Sequence, residues 1–248
     1  SSDLRSYLDN DASLPFAGTA GESHNITVLV NGDLNIEADE TFSVMLGSVL
    51  GTPPGLSLGT STATGAITND EQDWGDAPTA MQSGFVGTYP TLLANTGARH
   101  AAALNGLRLG ATIDGDLDGQ PNATATGDGA DEDGVTLPTS IVLSTSASVT
   151  VNVANGPGLL QGWVDFNRDG DWADAGEQVF TNVSVANGAN NLTFAVPGGA
   201  SVGTSFARFR LSNTFGLGLT GLANDGEVED YQVNIQNVAL SVNDVSVT

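Results

Sequence analysis

Cysteine and lysine are both absent from this chain of 248 residues, and only two histidines occur, His24 and His100. Without cysteine the chain has no disulfide framework to stabilise it. Neither a cysteine nor a lysine nucleophile is available for covalent catalysis, and the supply of histidine bases is minimal. We therefore predict that the chain is not an enzyme.

Positive charge is also scarce, because six arginines stand against 29 acidic residues and give a formal net charge of −23. A surface of this kind repels nucleic acid and anionic membranes and attracts divalent cations. No apolar run is long enough to span a bilayer, so we expect no membrane insertion. Hydrophobic residues still make up 40% of the chain, which predicts packed domains rather than an acidic disordered tail.

Short segments of alternating or β-branched character recur between turns rich in glycine, asparagine and aspartate, as is typical of antiparallel β-sandwiches. Helical propensity is confined to residues 91–107, where we expect one or two short helices. A domain boundary is predicted near residues 68–73, before a Trp-Gly-Asp-Ala-Pro turn. The side chains expected to face a core are Ile26, Val28, Val30, Phe42, Val44, Leu46, Val149, Val151, Val153, Leu192, Phe194, Val196, Ala207, Phe209, Leu211, Tyr231, Val233 and Ile235.

The segment DFNRDGDWADAGE carries the strongest metal-binding pattern. Calcium takes about six to eight oxygen ligands, and alternate side chains of a tight loop converge on one point. Asp165, Asn167, Asp169 and Asp171 occupy such alternate positions, with Gly170 placed for a sharp turn. Glu177 lies one position beyond the final glutamate of an EF-hand loop, so Glu177 or Asp174 is expected to complete the shell. The alternative is a merely acidic turn.

Two further acidic segments are candidate ligand sources. DGDLDG opens in the same way and is followed by GDGADEDG, whereas DGEVEDY packs four carboxylates that would repel one another unless a cation or an arginine neutralises them. Calcium and an arginine–carboxylate network with Arg208 and Arg210 both remain open for the last segment. The metal ligands predicted from these segments are Asp114, Asp116, Asp118, Asp131, Asp133, Glu227 and Glu229.

Two family resemblances follow from these motifs. GTAGESHNITVLVNGDLNIEADETFSVML with LGTSTATGAITNDE resembles the second half of a Calx-β domain, a calcium-associated sandwich common in adhesins. DWGDAP, GARHAAALNGLRLGATIDGDLDG, DGADEDGV, GWVDFNRDGDWADAGE and DGEVEDYQV, in this order, resemble a bacterial GEVED domain. NVALSVNDVSVT resembles the opening strand of a Calx-β domain.

These resemblances imply an all-β fold with two antiparallel β-sandwich domains of jelly-roll or Ig-like type. The expected parts are an incomplete Calx-β-like domain (1–71), a GEVED-like domain with long acidic calcium-binding loops (72–237), and an orphan strand (238–248). The orphan strand is a candidate donor strand for the next copy of the chain, through Leu240, Val242, Val245 and Val247.

The expected function is therefore a calcium-stabilised structural or adhesive subunit of a bacterial surface protein, located outside the cell and joined head to tail into a filament. Two alternatives remain open. The chain could be an excerpt of a tandem-repeat adhesin, or an accessory module whose tryptophans and tyrosines bind a surface polysaccharide.

Overall fold

The computed structural model describes residues 13–50 and 57–237. Strands account for 36% of the described residues and helices for 3%, which confirms the predicted all-β class. The chain divides between Asn69 and Asp70 into two compact units. The predicted donor strand, with Leu240, Val242, Val245 and Val247, lies outside the described residues.

The first unit contains an antiparallel pair of strands, β1 (Glu40–Met45) and β2 (Thr62–Ile67). Along β1, half-buried residues alternate with exposed ones, and Phe42 and Val44 lie on the half-buried side as predicted. The expected strand around Ile26 is different: residues 25–30 form no strand and are exposed. No described strand pairs with this segment, and β-branched residues hold an extended ladder only when a partner strand is present.

The second unit holds the remaining described strands and one short α-helix, α1 (Ala80–Ser83). Their sequence contains frequent turn residues and few long apolar runs, which keeps most strands short. The strands are β3 (Gln72–Trp74), β4 (Arg99–Ala101), β5 (Arg108–Leu109), β6 (Val135–Thr136), β7 (Ile141–Val142), β8 (Ser146–Ala154), β9 (Gly158–Val164), β10 (Gln178–Val185), β11 (Gly188–Ala195), β12 (Gly203–Ser212), β13 (Leu222–Ala223) and β14 (Glu227–Gln236).

These strands form three sheets. The largest has the order β10-β9-β12-β14-β7, in which β7 runs parallel to β14 and the other pairs are antiparallel. The second has the order β11-β8-β5, and β6 also pairs with β8. The third is small and has the order β13-β4-β3.

One hydrophobic core collects side chains from the two larger sheets. Val149 and Val151 of β8 are buried with Phe209 of β12 and Val233 of β14, which confirms the predicted parity of these strands. Each such side chain contributes about 1.5–3 kcal/mol by leaving water. A Cβ atom at Gly162 would lie 2.8 Å from Phe180 and 3.1 Å from Phe209, so the core requires glycine there.

The segment expected to be helical, residues 91–107, contains a single 3₁₀ turn, Leu93–Asn95. Thr96 then adopts a left-handed φ of 57°, which ends the turn. Gly97 packs directly on the carbonyl of Thr91, so the chain folds back on itself before β4. Local propensity is overridden here by this tight reversal.

The small third sheet positions the acidic residues described next. Asp73 of β3 lies opposite His100 of β4, and its Oδ2 accepts a hydrogen bond from the backbone N–H of Val228 in β14 (2.8 Å). The N–H of Asp116 donates to the carbonyl of Gln72 (2.8 Å). Strand β3 therefore connects an acidic loop on one side to the DGEVEDY strand on the other.

Candidate metal centre

Five carboxyl groups from three separate segments converge beside β3, and we call them the acid centre. One set of oxygens, within 4.8 Å of one another, comes from Asp73, Asp128 and Asp131, all of which are buried. A second set with the same spacing comes from Asp114, Asp116 and Asp128. Asp128 therefore belongs to both sets, and either set could hold a metal ion.

Several oxygens of the acid centre lack the hydrogen bonds that buried carboxylates require. Asp73 Oδ1, Asp116 Oδ2 and both side-chain oxygens of Asp131 are buried without a hydrogen-bond partner among the described residues, and so is Glu227 Oε1 beside them. Asp73, Asp131 and Glu227 are at most 4% exposed. An ionised carboxylate buried in this way costs several kcal/mol unless a cation or a proton neutralises it.

The pKa values show the same demand for neutralisation. Burial, followed by the charge of Asp114, raises the pKa of Asp131 to about 7. Burial also raises the pKa values of Asp73 and Glu227, and the charge of Asp131 adds to both shifts. Burial and mutual repulsion therefore disfavour the ionised form of these carboxyl groups, and a bound cation would favour it.

Two neighbouring acids are the buried Asp76 and the half-buried Glu132, whose Oε2 atom is enclosed. Asp76 Oδ2 accepts hydrogen bonds from the N–H groups of Gly127 and Asp128, and Glu132 Oε1 accepts one from Asp230 N–H (3.2 Å). Burial and the charge of Asp230 raise the pKa of Asp76 to about 7. These two residues tie the loop that carries Asp128 to strand β14.

Arginine neutralises only part of the DGEVEDY segment. Arg208 binds Asp230 through two parallel hydrogen bonds, Nε to Oδ1 (2.7 Å) and Nη2 to Oδ2 (2.6 Å). Arg210 instead donates to His100 Nε2 (3.0 Å) and to backbone carbonyls. Because side chains alternate along β14, Glu227 and Glu229 point to the opposite face from Asp230. The arginine network therefore accounts for Asp230 and leaves Glu227 Oε1 unpaired.

The DFNRDGDWADAGE segment forms a second cluster, the acidic loop (residues 165–177). Oxygens of Asp169, Asp171 and Asp174 lie within 4.8 Å of one another, at partly or fully exposed positions, and could hold a metal ion. Asn167 Nδ2 donates to Asp174 Oδ2 (2.6 Å) and to Asp169 Oδ2 (3.0 Å). Its side-chain oxygen accepts a hydrogen bond from Asp169 N–H (3.0 Å), which shapes the turn.

Asp165 and Glu177 lie buried at the base of the acidic loop. Asp165 Oδ2 accepts hydrogen bonds from the hydroxyl of Tyr89 (2.5 Å) and from Gly170 N–H (3.1 Å). Glu177 Oε1 accepts one from Phe166 N–H (3.0 Å). Burial and the charge of Asp165 raise the pKa of Glu177 to about 7. In this structure the two carboxylates hold the ends of the loop together.

The structure thus divides the sequence-predicted ligands into two classes. Asp114, Asp116, Asp131, Asp169 and Asp171 join groups that could hold a metal ion. The others bond to backbone N–H or side-chain groups; for example, Asp118 Oδ1 accepts from Leu93 N–H (2.6 Å). The predicted ligands that join neither the acid centre nor the clustered carboxylates of the acidic loop are Asp118, Asp133, Asp165, Asn167, Glu177, Glu227 and Glu229. Among these, Glu227 keeps one oxygen beside the acid centre that has no partner among the described residues.

Asp73 is absent from the ligands predicted from the sequence, and Asp128 was considered there only as a member of the acidic run that follows DGDLDG. Asp73 belongs to the Asp-Trp-Gly-Asp-Ala-Pro turn, which marks the predicted domain boundary, and Asp128 to the GDGADEDG run. Both residues stand in acidic motifs, and this local acidity is the feature of the sequence that could have indicated them as ligands. Their convergence depends on pairing between segments far apart in the chain, such as Asp73 with Val228, which local spacing does not reveal.

Comparison with known protein families agrees with one of the two resemblances. Residues 159–234 match the GEVED domain. The match runs from β9 to β14 and includes the acidic loop, Arg208, Asp230, Glu227 and Glu229, whereas the five members of the acid centre precede it. No curated protein and no solved structure matches the chain.

A Calx-β origin for the flanking segments stays a prediction. No helix within residues 13–50 and 57–237 is long and apolar enough to cross a membrane.

Proposed function

We propose that this chain is a calcium-stabilised structural or adhesive module of a bacterial surface protein, with its second unit a β-sandwich held together by bound ions outside the cell. The observation that carries the proposal is the acid centre. Its carboxylates come from three segments of the chain and present buried oxygens that have no partner within the described ranges. A cation bound there would join these three segments directly.

Calcium fits the donor set better than other common metals. The two groups offer carboxylate oxygens and no nitrogen or sulfur ligand, which disfavours zinc. Magnesium dehydrates reluctantly and usually keeps several water ligands, whereas calcium accepts many carboxylates in irregular geometry. Buried oxygens on Asp73 and Asp131 therefore favour calcium.

An extracellular location would suit a calcium site with the affinity typical of extracellular modules. Extracellular modules bind calcium with dissociation constants of about 0.1–1 mM, and cytosolic calcium is far too dilute to fill them. A free calcium concentration one hundred times the dissociation constant stabilises the folded state by about 2.7 kcal/mol per site. This is similar to the contribution of a disulfide, which the chain lacks.

The geometry of the histidine and of the aromatic residues also supports a structural role. His100 is buried, with Nδ1 bonded to the carbonyl of Asp225 (2.7 Å) and Nε2 to Arg210, so it anchors loops. Trp74, Trp163 and Trp172 are at most 3% exposed and offer no stacking face for a sugar. These positions favour a structural module over a hydrolase or a carbohydrate-binding module.

Removal of calcium tests the proposal. The thermal unfolding midpoint should fall by several degrees when a chelator replaces about 1 mM calcium, because the acid centre then loses its counter-ions. Asp128→Asn should abolish most of this calcium-dependent shift. Asp118→Asn, which alters an aspartate bonded to Leu93 and Gly119 N–H, is the matched control and should keep the shift. Equal midpoints with and without calcium in the unmodified protein would reject the proposal.

We also propose that copies associate head to tail, with residues 238–248 of one copy adding a strand to the first unit of the next. Exposed apolar side chains in that unit support this proposal, since Ile26, Val28 and Val30, which occupy alternate positions, are 48%, 36% and 45% exposed. Its described sheet has only the strands β1 and β2, and isolated two-stranded sheets are marginally stable in water. A donated strand would cover these apolar side chains and would pair with the open edge of the sheet.

Light scattering on size-fractionated protein tests this association. The full chain should form oligomers, and deletion of residues 238–248 should leave monomers that bind a synthetic peptide of that sequence. A peptide with Leu240→Asp and Val242→Asp is the control and should not bind. A full chain that stays monomeric at all concentrations and ignores the peptide would contradict head-to-tail association.

A further inference from the structure

Asp128 is the one residue that belongs to both groups of the acid centre. One group joins it to the buried Asp73 and Asp131, here called the inner side, and the other joins it to Asp114 and Asp116, here called the outer side because Asp114 is exposed. A carboxylate has two oxygens and commonly bridges two cations, binding one with each. Asp128 itself is 3% exposed, so it is enclosed between the two groups.

Each half of the centre has its own buried oxygen without a partner among the described residues. On the inner side these are Asp73 Oδ1 and both oxygens of Asp131, and on the outer side Asp116 Oδ2. Glu227 Oε1 adds an unpaired oxygen on the inner side, where Glu227 interacts with the charges of Asp73 and Asp131. A single ion on one side would leave the unpaired oxygens of the other side unsatisfied.

The negative charge of the acid centre also favours two bound ions. The five carboxylates of the acid centre carry five negative charges when ionised, and Glu227 is a sixth beside them. One divalent cation would leave most of this charge uncompensated in a buried place, where unlike charges attract strongly and like charges repel strongly. A pair of divalent cations neutralises four charges, so the remainder is small.

We infer that the acid centre binds two calcium ions side by side, an inner ion at Asp73 and Asp131 and an outer ion at Asp114 and Asp116, with Asp128 bridging them. This inference rests on the proposed function, because it names the number and arrangement of ions in the same centre. The inner ion is enclosed by Asp73, Asp131 and Glu227, and the outer ion is open to solvent through Asp114. The outer ion should therefore exchange faster than the inner ion.

Counting bound ions by equilibrium dialysis against radioactive calcium tests the inference. Asp169→Asn with Asp174→Asn serves as the background, since it removes two of the three clustered carboxylates of the acidic loop. The background protein should retain about two ions per chain at saturating calcium. A single retained ion would overturn the two-ion inference and leave the proposed function standing, whereas no retained ion would overturn both.

Single substitutions in that background assign the ions. Asp114→Asn should remove the outer ion alone, Asp131→Asn the inner ion, and Asp128→Asn both; Asp118→Asn is the matched control and should remove none. Asp114 is exposed, so Asp114→Asn tests the outer site without disturbing the core. An unchanged count in Asp114→Asn, or the loss of only one ion in Asp128→Asn, would contradict the bridged arrangement. If Asp128→Asn fails to fold, the number of ions bound by the background protein and by Asp114→Asn still tests the two-ion inference.

Discussion

Arg208 shows how a single residue joins distant parts of the second unit. Its guanidinium is fully buried, pairs with Asp230, donates to the carbonyl of Pro90 (2.7 Å) and lies 4.6 Å from the ring centre of Trp172. A planar group with five donors satisfies all of these partners at once, which a lysine ammonium cannot do. Arg208 thus connects β12, β14 and the residues before the 3₁₀ turn.

Replacement of Arg208 by lysine tests this role. Arg208→Lys should lower the free energy of unfolding by about 3–5 kcal/mol, because the bidentate pair with Asp230 is broken while the carboxylate stays buried. Urea denaturation in saturating calcium measures the change. Arg108→Lys, at a half-buried position whose Nε bonds one carbonyl, is the control and should have a much smaller effect. Equal losses for the two variants would contradict the role assigned to Arg208.

The buried carboxyl groups predict an unusual pH dependence for the calcium-free protein. The pKa values of Asp76 and Asp131 are raised to about 7 and that of Glu229 to about 8, mainly by burial. In the unfolded chain such groups titrate near pH 4, so between about pH 4 and pH 8 the folded state binds more protons. The calcium-free protein should therefore become less stable as the pH rises through this range.

His100 has the opposite effect on the pH dependence of stability over part of this range. Burial lowers its pKa, so stability from this residue is complete above about pH 6.5 and declines as the pH falls below that value. Several carboxyl groups outweigh one histidine, and the net slope should be negative. Urea denaturation of calcium-free protein at about pH 5.5 and about pH 7.5 checks the sign, and greater stability at the higher pH would contradict it.

Loops carry most of the carboxyl groups that could hold a metal ion, and Asp73 on β3 is the exception among the described residues. Strands β8, β9 and β12 have long backbone ladders and buried apolar side chains, whereas the described residues 110–134 contain no strand and are held in part by backbone N–H groups bonded to carboxylates. Segments with few buried apolar contacts open locally at low free energy. Calcium should therefore control the stability of the loops more than that of the sheets.

Hydrogen exchange with mass spectrometry tests this division. Chelation should accelerate amide exchange in residues 110–134 by about tenfold or more, since a loss of about 1.4 kcal/mol of local stability has that effect. Amides of β9 and β12 should change little. The variant Asp128→Asn should show fast exchange in the same loop even with calcium present. Uniform acceleration over loops and core strands would show instead that calcium acts on global unfolding alone.

The strands could be predicted from the sequence where the alternation of apolar and polar residues within a short segment indicates them. Val149, Val151 and Val153 alternate with polar residues, and this period alone indicates a buried face. Residues 91–107 misled the prediction, because Gly97 and Thr96 allow a reversal that propensity does not register. The alternating aspartates of the acidic loop were found for the same local reason, whereas Asp73 depends on a neighbour 155 positions away.

At the level of the whole molecule, every residue that joins a group able to hold a metal ion in the described ranges lies in the second unit. A fragment covering residues 70–237 should therefore fold alone and keep the full calcium-dependent shift of its thermal midpoint. Differential scanning calorimetry of the fragment and of the full chain makes the comparison. A fragment that lacks the shift would place the calcium response in residues outside it.

The position of the tryptophans has an optical consequence. Trp74 directly follows Asp73 of the acid centre, and Trp172 directly follows Asp171 of the acidic loop. Terbium replaces calcium at oxygen sites and emits green light when a nearby indole transfers its excitation energy. Each cluster thus has a tryptophan beside it, and Trp172→Phe should lower the emission of the acidic loop more than that of the acid centre. Terbium emission should therefore report ion binding without an added label, and this substitution should separate the contributions of the two clusters.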